Sequence, residues 1–598
     1  MPSPRVSNPL RARMYLFIIG AVATNSTAQP ASQPPGPVQS AADDALKVLT
    51  KQCAPCHKTG GSEEGRFGSI TDFDNLLQRT GEAGSPPSAV PLLYPGKSSF
   101  SLVYLLASDG TMPMEDSLSS GEIETLRIWI DNMAAPINAT PTGEAALAQT
   151  MLADVRSLAA SNTGADVKDV RYVSLAPQTA LARPSATLER YRNAVNDLLN
   201  SLSWKSSIAP PPVIVSPELL RIRLADYGWD ATTWRLLIAS YPYAVDASAA
   251  ATQDVIPAYK ELHSLIGESA PIVRADWLIA TASSPPLYNA LLLRGVQPAL
   301  QMAIPGGLAL LEAALNLAPT VARAGVKKSS VSTNNGPRVV EVRTIPTGGT
   351  YWRSYDFSST KPPPNIAATP FSFQEDAGEI IFSLPNGMLG YALASADGKL
   401  LERAPRDIAI DRAMKSSGSD EIVNGLSCFS CHGEKGFIKA TDSVRAQHKK
   451  ASQADDDVRA VYIASADFDK QLAAAASRYQ EALAISRGVQ PPRKFQLGNT
   501  IGTHGQPIVS GARDYREPLS LRSIAAEVGM DASDIKDTLF KSDTPRAHCV
   551  SEALRTTFTE ASMISRSEWE CLFRDIRAIS TPRLSLTTMP RSCPCEAL

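Results

Sequence analysis

Two five-residue stretches hold the residue types that can do chemistry: Cys53-Ala54-Pro55-Cys56-His57 and Cys428-Phe429-Ser430-Cys431-His432. Each sets two thiols three positions apart and an imidazole directly after the second. Two thiols so spaced reach the two vinyl groups of one porphyrin and can add across them. The adjacent imidazole then points at the iron as proximal ligand. This spacing marks covalent attachment of c-type haem. The chain's own composition predicts only ~0.001 chance copies of the pattern, yet two are present. A zinc knuckle would need a second ligand pair close by, and no cysteine lies between Cys56 and Cys428. A thioredoxin-type C-x-x-C would need a βαβ setting that the flanking sequence does not suggest. The expected cofactors are therefore two covalent haem c groups with their iron, held by Cys53 and Cys56 and by Cys428 and Cys431. His57 and His432 are the expected metal ligands.

The elements around the first motif read as helical. Residues 41–58 place Leu46, Leu49 and Cys53 on one face of a helix that ends at the motif. Pro95–Leu106 reads as a turn and a short helix. Met112-Pro113 follows, and then a helix from Leu118. Ser119 and Glu122 have capping-box spacing there, and Ile123, Leu126, Ile130 and Met133 form one apolar stripe. This order resembles the class I cytochrome c domain, closest to the module found in planctomycete-type exported proteins. The features that carry the resemblance are the Cys53–His57 motif, the Met112-Pro113 pair and a terminal helix ending Trp129-Ile130-Asp131. It implies a small all-α cytochrome c domain over 41–135, with Met112 as distal ligand 55 residues after His57. Met114 is the rival ligand.

The second motif has a less regular setting. Val339–Thr344 alternates like a strand, and Tyr351–Phe357 reads as its partner. Glu379–Leu384 and Met388–Leu393 flank Asn386-Gly387 as a hairpin, and Asp397-Gly398 suggests a further turn. A small antiparallel meander is expected before the second haem helix. Residues 451–486 and 519–573 read as helical. Together with Arg221–Trp229, these segments resemble a family of exported, largely uncharacterised cytochrome-c-like proteins over roughly 170–575. That resemblance implies haem binding and no particular reaction. No Met-Pro pair follows Cys428 within some 55 residues. The distal ligand of this iron is left among His448, His504, Met414, Met530 and His548, or the position is open. His263 is the one histidine between the motifs. It reads as a surface or core residue ahead of a ligand. Trp204, Trp229, Trp234 and Trp277 read as core or haem-wall residues.

The length of 598 residues suggests three or four domains. The expected division is 1–28 signal peptide, 41–135 cytochrome c domain, 136–170 linker, 171–335 mixed domain, 336–580 second haem domain and 581–598 disordered tail; residues 134–165, rich in Ala, Thr and Pro, read as a linker followed by a helix. The expected fold class is multidomain, with a small all-α domain ahead of a larger α+β region and a helical C-terminal part. Lys+Arg 58 against Asp+Glu 60 leaves no basic surplus for nucleic acid. The mean hydropathy of −0.11 excludes a multi-span membrane protein. Arg5, Arg11 and Arg13 precede the apolar run Met14–Ala23 and the small residues Ser26-Thr27-Ala28, the layout of a secretory signal. Cleavage after Ala28 removes three arginines and takes the net charge from −2 to −5. The mature chain is then periplasmic or otherwise exported, with membrane anchoring only if the signal stays uncleaved. In an oxidising compartment Cys549 and Cys571 can form a disulfide, with Cys593 and Cys595 as alternative partners.

The expected function is electron transfer with a redox partner protein or small electron carrier. The rival is a di-haem oxidoreductase, peroxidase-like, whose second haem keeps an open coordination site. The sequence alone assigns no catalytic residue and leaves open whether the chain is an enzyme. The 375 residues between the motifs argue against close kinship with di-haem peroxidases.

Overall fold

The computed structural model describes residues 37–57, 69–71, 76, 92–93, 98–113, 117–132, 143–161, 166–181, 183, 185–244, 257–295, 306–412, 416–449, 452–491, 506–559 and 563–580. The expected signal segment 1–28 and tail 581–598 lie outside these, as do Met114, Met414, His504, Cys593 and Cys595.

Between residues 37 and 132 the described residues form helices and turns, without a strand. Helix Pro37–Val48 runs into a π-turn, Leu49–Cys53, that delivers the first motif. Its apolar face packs on helix Ser120–Asn132, and Ala42, Ala45 and Leu49 are buried with Leu126, Trp129 and Ile130 in one cluster. The capping box forms as spaced: Ser119 Oγ accepts from the Glu122 amide at 3.3 Å, and Glu122 Oε2 accepts from the Ser119 amide at 2.9 Å. Asp131 accepts from the Ser98 amide at 2.9 Å, tying the start of the middle helix pair to the terminal helix.

The span 136–170 carries the helix expected after the linker, Glu144–Ala160. Its Leu147, Met151, Leu152 and Val155 are buried against helix Pro257–Ile266. An i, i+4 apolar spacing explains why this stretch packs rather than dangles. Next comes a four-stranded sheet of β1 (Val170–Ser174), β2 (Val213–Ser216), β3 (Leu219–Arg223) and β4 (Ile272–Arg274), in the order β2-β3-β1-β4. β1 runs parallel to β4 and antiparallel to β3.

The larger sheet is a six-stranded antiparallel meander: β5 (Val321–Val326), β6 (Arg338–Thr344), β7 (Thr350–Asp356), β8 (Ala377–Ser383), β9 (Leu389–Ser395) and β10 (Leu400–Leu401). Each strand pairs with its neighbour in sequence. The hairpin at Asn386-Gly387 and the turn at Asp397-Gly398 form where turn chemistry places them. The boundary expected between 335 and 336 falls between paired strands, since Val326 lies opposite Arg338 and Val321 opposite Arg343. The sheet thus takes its first strand from the segment assigned to the middle domain. β8 and β9 are buried on both faces. Phe382 packs on Trp204 of the middle segment, while Glu379 and Tyr391 stand against His432 of the second motif.

The C-terminal part is helical, from Pro507–Arg516 to Arg566–Ser580. A buried ion cluster joins it to β4. Arg274 pairs with Asp276 at 2.6 Å and with Glu527 at 2.6 Å, and Arg566 pairs with Glu527 at 2.7 Å. Burial alone would raise the Glu527 carboxyl, but the two guanidiniums beside it bring it down to about 2. Cys549 and Cys571 are both disulfide-bonded. Among the described residues no helix is long and apolar enough to cross a membrane.

Candidate haem sites

The second motif lies in the helix Leu426–His432. Gly425 starts it with φ +77°, and a Cβ there would stand 2.5 Å from the Ser283 carbonyl oxygen and 2.8 Å from the Tyr288 ring. Only glycine fits that approach. The chain then turns back through Gly436, also left-handed at φ +76°. This return brings the Gly436 carbonyl oxygen to 2.7 Å from His432 Nδ1. A hydrogen bond from Nδ1 fixes the tautomer and leaves Nε2 as the nitrogen that can bind a metal, the arrangement a proximal ligand requires.

Cys428, Cys431 and His432 line one cavity of about 530 Å³, walled by the meander. Ligand and cofactor cavities run from roughly 300 to 1,000 Å³ and are mostly apolar. The apolar wall here includes Val340, Leu393, Ile408, Ile410 and Ile422. Trp352 and Tyr391 stand with ring centroids 6.5 and 6.4 Å from the His432 imidazole. Lys328, Arg412 and Lys439 line the cavity and are exposed, so cations are available to carboxylate groups reaching solvent. Burial pushes the Cys428 and Cys431 thiols well above their ordinary range. That is the opposite of an activated thiolate. Neither is in a disulfide. A planar apolar group with two anionic arms, joined to both sulfurs and ligated by Nε2, fits this donor set. Among the described residues no group of three or more His, Cys, Asp or Glu is arranged to hold a bare metal ion.

The cavity wall also carries three charged side chains that the sequence did not single out. His432 Nε2 faces Oε1 of Glu379, on β8, at 3.4 Å. Burial would raise the Glu379 carboxyl, but His432 in its protonated form, with no metal on Nε2, and Arg338 beyond hold it below its ordinary range. Arg338 Nη1 lies 3.8 Å from Glu379 Oε2. The same guanidinium is bidentate to Asp356, at 2.7 and 2.9 Å. Arg338 and Asp356 are opposite each other in the β6–β7 register, so the pairing of the strands creates the ion pair.

Of the distal candidates among the described residues, none lies at the cavity. Both nitrogens of His448 are engaged, Nδ1 with Asp455 at 2.9 Å and Nε2 with the Ala367 carbonyl at 2.8 Å. His548 pairs with Asp543 on an exposed helix. Met530 packs against the main core. His263 sits half-buried on helix Pro257–Ile266, away from the cavity lining. Among the described residues, His432 is the only histidine in the lining, and no methionine joins it. The four middle-segment tryptophans are core: Trp229, Trp234 and Trp277 are buried, and Trp204 packs on Phe382. The tryptophan that walls the cavity is Trp352.

The first motif has a different setting. Cys53 is half-buried against the helical core, Cys56 is exposed and His57 is half-buried. Burial raises the Cys53 thiol to about 11. The motif closes with the His57 amide on the Cys53 carbonyl at 2.9 Å. Met112 is half-buried, its amide held by the Leu106 carbonyl at 2.9 Å. Most of the loop between motif and Met112 lies outside the described residues. No protein-family model, curated protein or solved structure matches the chain.

Proposed function

We propose that this chain is an exported c-type cytochrome carrying two covalent haems, and that it transfers electrons through them. Cys53 and Cys56 hold one haem, and Cys428 and Cys431 hold the other. His57 and His432 are the proximal ligands, and Met112 is the distal ligand of the first. The small helical frame around residues 41–132 is then a class I cytochrome c domain. The observation that carries the reading is the cavity onto which Cys428, Cys431 and His432 open together, with Nδ1 of the histidine already committed to Gly436.

Bound haem would supply a one-electron couple at each site. The chain's own residues do the rest. The paired cysteines fix the ring, Trp352 and the aliphatic wall keep water from it, and the rim cations neutralise its carboxylates. The Met112 thioether raises the potential of the first haem, which suits it to exchange electrons with a soluble partner. The basic, apolar and small-residue order of residues 5–28 supports a periplasmic location. The composition gives no reason to expect nucleic acid among the partners.

A second reading is favoured by one observation. The lining of the second cavity offers no thioether or second imidazole among the described residues. An open sixth position permits ligand chemistry as well as electron transfer, which supports a di-haem oxidoreductase. The test of haem attachment is direct. The full chain, expressed with the c-type maturation machinery, should give two haems per chain by pyridine haemochrome. Removing Cys53 with Cys56, or Cys428 with Cys431, should each leave one. A chain that carries no covalent haem at either motif would end this reading.

A further inference from the structure

The chain leaves the second motif through Gly433-Glu434-Lys435-Gly436. Two glycines in four residues give this return loop little conformational preference of its own. It is nevertheless closed. The Gly436 amide donates to the His432 carbonyl at 2.8 Å, and the Gly436 carbonyl oxygen lies 2.7 Å from His432 Nδ1. The helix Ser465–Ser486 grips it. Tyr479 Oη donates to the Gly433 carbonyl at 2.7 Å, and Gln480 Nε2 donates to the Lys435 carbonyl at 3.1 Å. Arg487, just past the helix end and about two turns beyond Tyr479, donates to both oxygens of Glu434, at 2.7 and 3.1 Å. A Cβ on Gly436 would stand 3.0 Å from the Tyr479 ring. Each residue of the loop thus meets one face of this helix. That face is itself anchored. Arg487 Nε donates to Asp197 at 2.8 Å, and Ser486 Oγ donates to the same carboxylate at 2.9 Å. Asp197 is buried on the helix Ser185–Ser201. Tyr479 is 2% exposed, so water hardly competes for its hydroxyl.

A histidine that ligates through Nε2 becomes a more basic ligand when its Nδ1–H has a firm acceptor. A more basic ligand favours the oxidised iron and lowers the potential. The acceptor here is a carbonyl on a glycine-rich loop, so its place is set by what grips the loop. We propose that Tyr479 is a positioning residue for the second haem: its bond to Gly433 fixes the return loop, keeps the Gly436 carbonyl on His432 Nδ1 and so holds the potential of that haem down. This rests on haem attachment at Cys428 and Cys431. It adds to that reading the residue that tunes the site from outside. Tyr479 does not line the cavity, so it acts through the loop and not on a bound group.

The experiment is a potentiometric titration of the full-length holoprotein, with the first haem as internal reference. The couple lost when Cys428 and Cys431 are removed is the second. Tyr479→Phe removes only the hydroxyl. It should move the reduction equilibrium of the second haem toward the reduced form by on the order of tenfold, the low end of what outer partners of a ligating histidine control. For a one-electron couple that is ~59 mV. The first haem should not move. Gln480→Ala, at the neighbouring bond, should move the second haem in the same direction by less, and it carries the test if the tyrosine variant does not fold. Tyr462→Phe is the control. Tyr462 is also fully buried, and its hydroxyl donates to the Pro370 carbonyl at 2.8 Å, away from the loop. Its loss should cost similar stability and leave both potentials in place. A second potential that stays unmoved in the loop variants, or that moves equally in Tyr462→Phe, overturns the proposal. Haem content is read separately by pyridine haemochrome. Fewer than two haems per chain in the wild type ends the attachment reading, whereas two haems with an unmoved potential end this proposal alone.

Discussion

The two C-x-x-C-H sites share five residue positions and almost nothing else. At the first, the motif leaves a π-turn at the edge of a small helical cluster, with Cys56 exposed and Met112 on a following loop. At the second, the motif is a buried helix set against a six-stranded meander, facing a cavity with Glu379, Arg338 and Asp356 in its wall. On the proposed reading each motif attaches a haem, and the surroundings decide what that haem can do. An exposed edge with a thioether suits exchange with a partner. A cavity with no soft ligand among its described residues suits binding of a small molecule.

Two carboxylates test how differently the first-motif region and the C-terminal helical part are held. Glu527 and Glu122 are both brought down to about 2. For Glu527 burial opposes the shift, and the charges of Arg274 and Arg566 overcome it. For Glu122 hydrogen bonds from Gln52 and Ser119 produce it at an open surface. Glu527→Gln should cost about 3–5 kcal/mol, because two buried guanidiniums lose their shared partner. Chemical denaturation of the full chain measures this. A folded pKa below the unfolded one gives stability that is complete above the ordinary value of 4.5 and is lost as pH falls through about 2. The C-terminal body should therefore loosen in that acid window, and Glu527→Gln should flatten the dependence.

The next effect concerns the irons. Met112→Ala should lower the potential of the first haem by on the order of 0.1 V, a fraction of the ~0.8 V that axial ligands control. Potentiometric titration should show the second haem unmoved. An unchanged first potential would pass the ligand role to Met114. Gly425→Ala should cost about 1–3 kcal/mol, since its Cβ meets the Ser283 carbonyl and the Tyr288 ring. The loss should appear together with a disturbed spectrum of the second haem and an undisturbed first. The smallest effect is Glu122→Gln, less than about 1 kcal/mol, as expected for hydrogen bonds at an exposed helix start.

Much of this was legible in the sequence, for reasons that differ by element. The meander strands alternate or are bounded by Asn386-Gly387 and Asp397-Gly398, and turn chemistry is local. The Ser119–Glu122 box is local as well. The cavity wall is not. Arg338 and Asp356 are 18 residues apart and meet only through strand register. Glu379 stands in a strand buried on both faces, where alternation gives no phase. A lone acid in the run Ala377–Ser383 was the one available signal. The helix Glu144–Ala160 is legible in its sequence, but its packing partner, Pro257–Ile266, lies far along the chain and is not.

The central claim is that one haem is closed and the other open. It is tested most directly by titrating the fully reduced, full-length holoprotein with carbon monoxide under anaerobic conditions. The account predicts one carbon monoxide bound per two haems, with the responding spectrum lost when Cys428 and Cys431 are removed. Binding at both haems, or at neither, would contradict it.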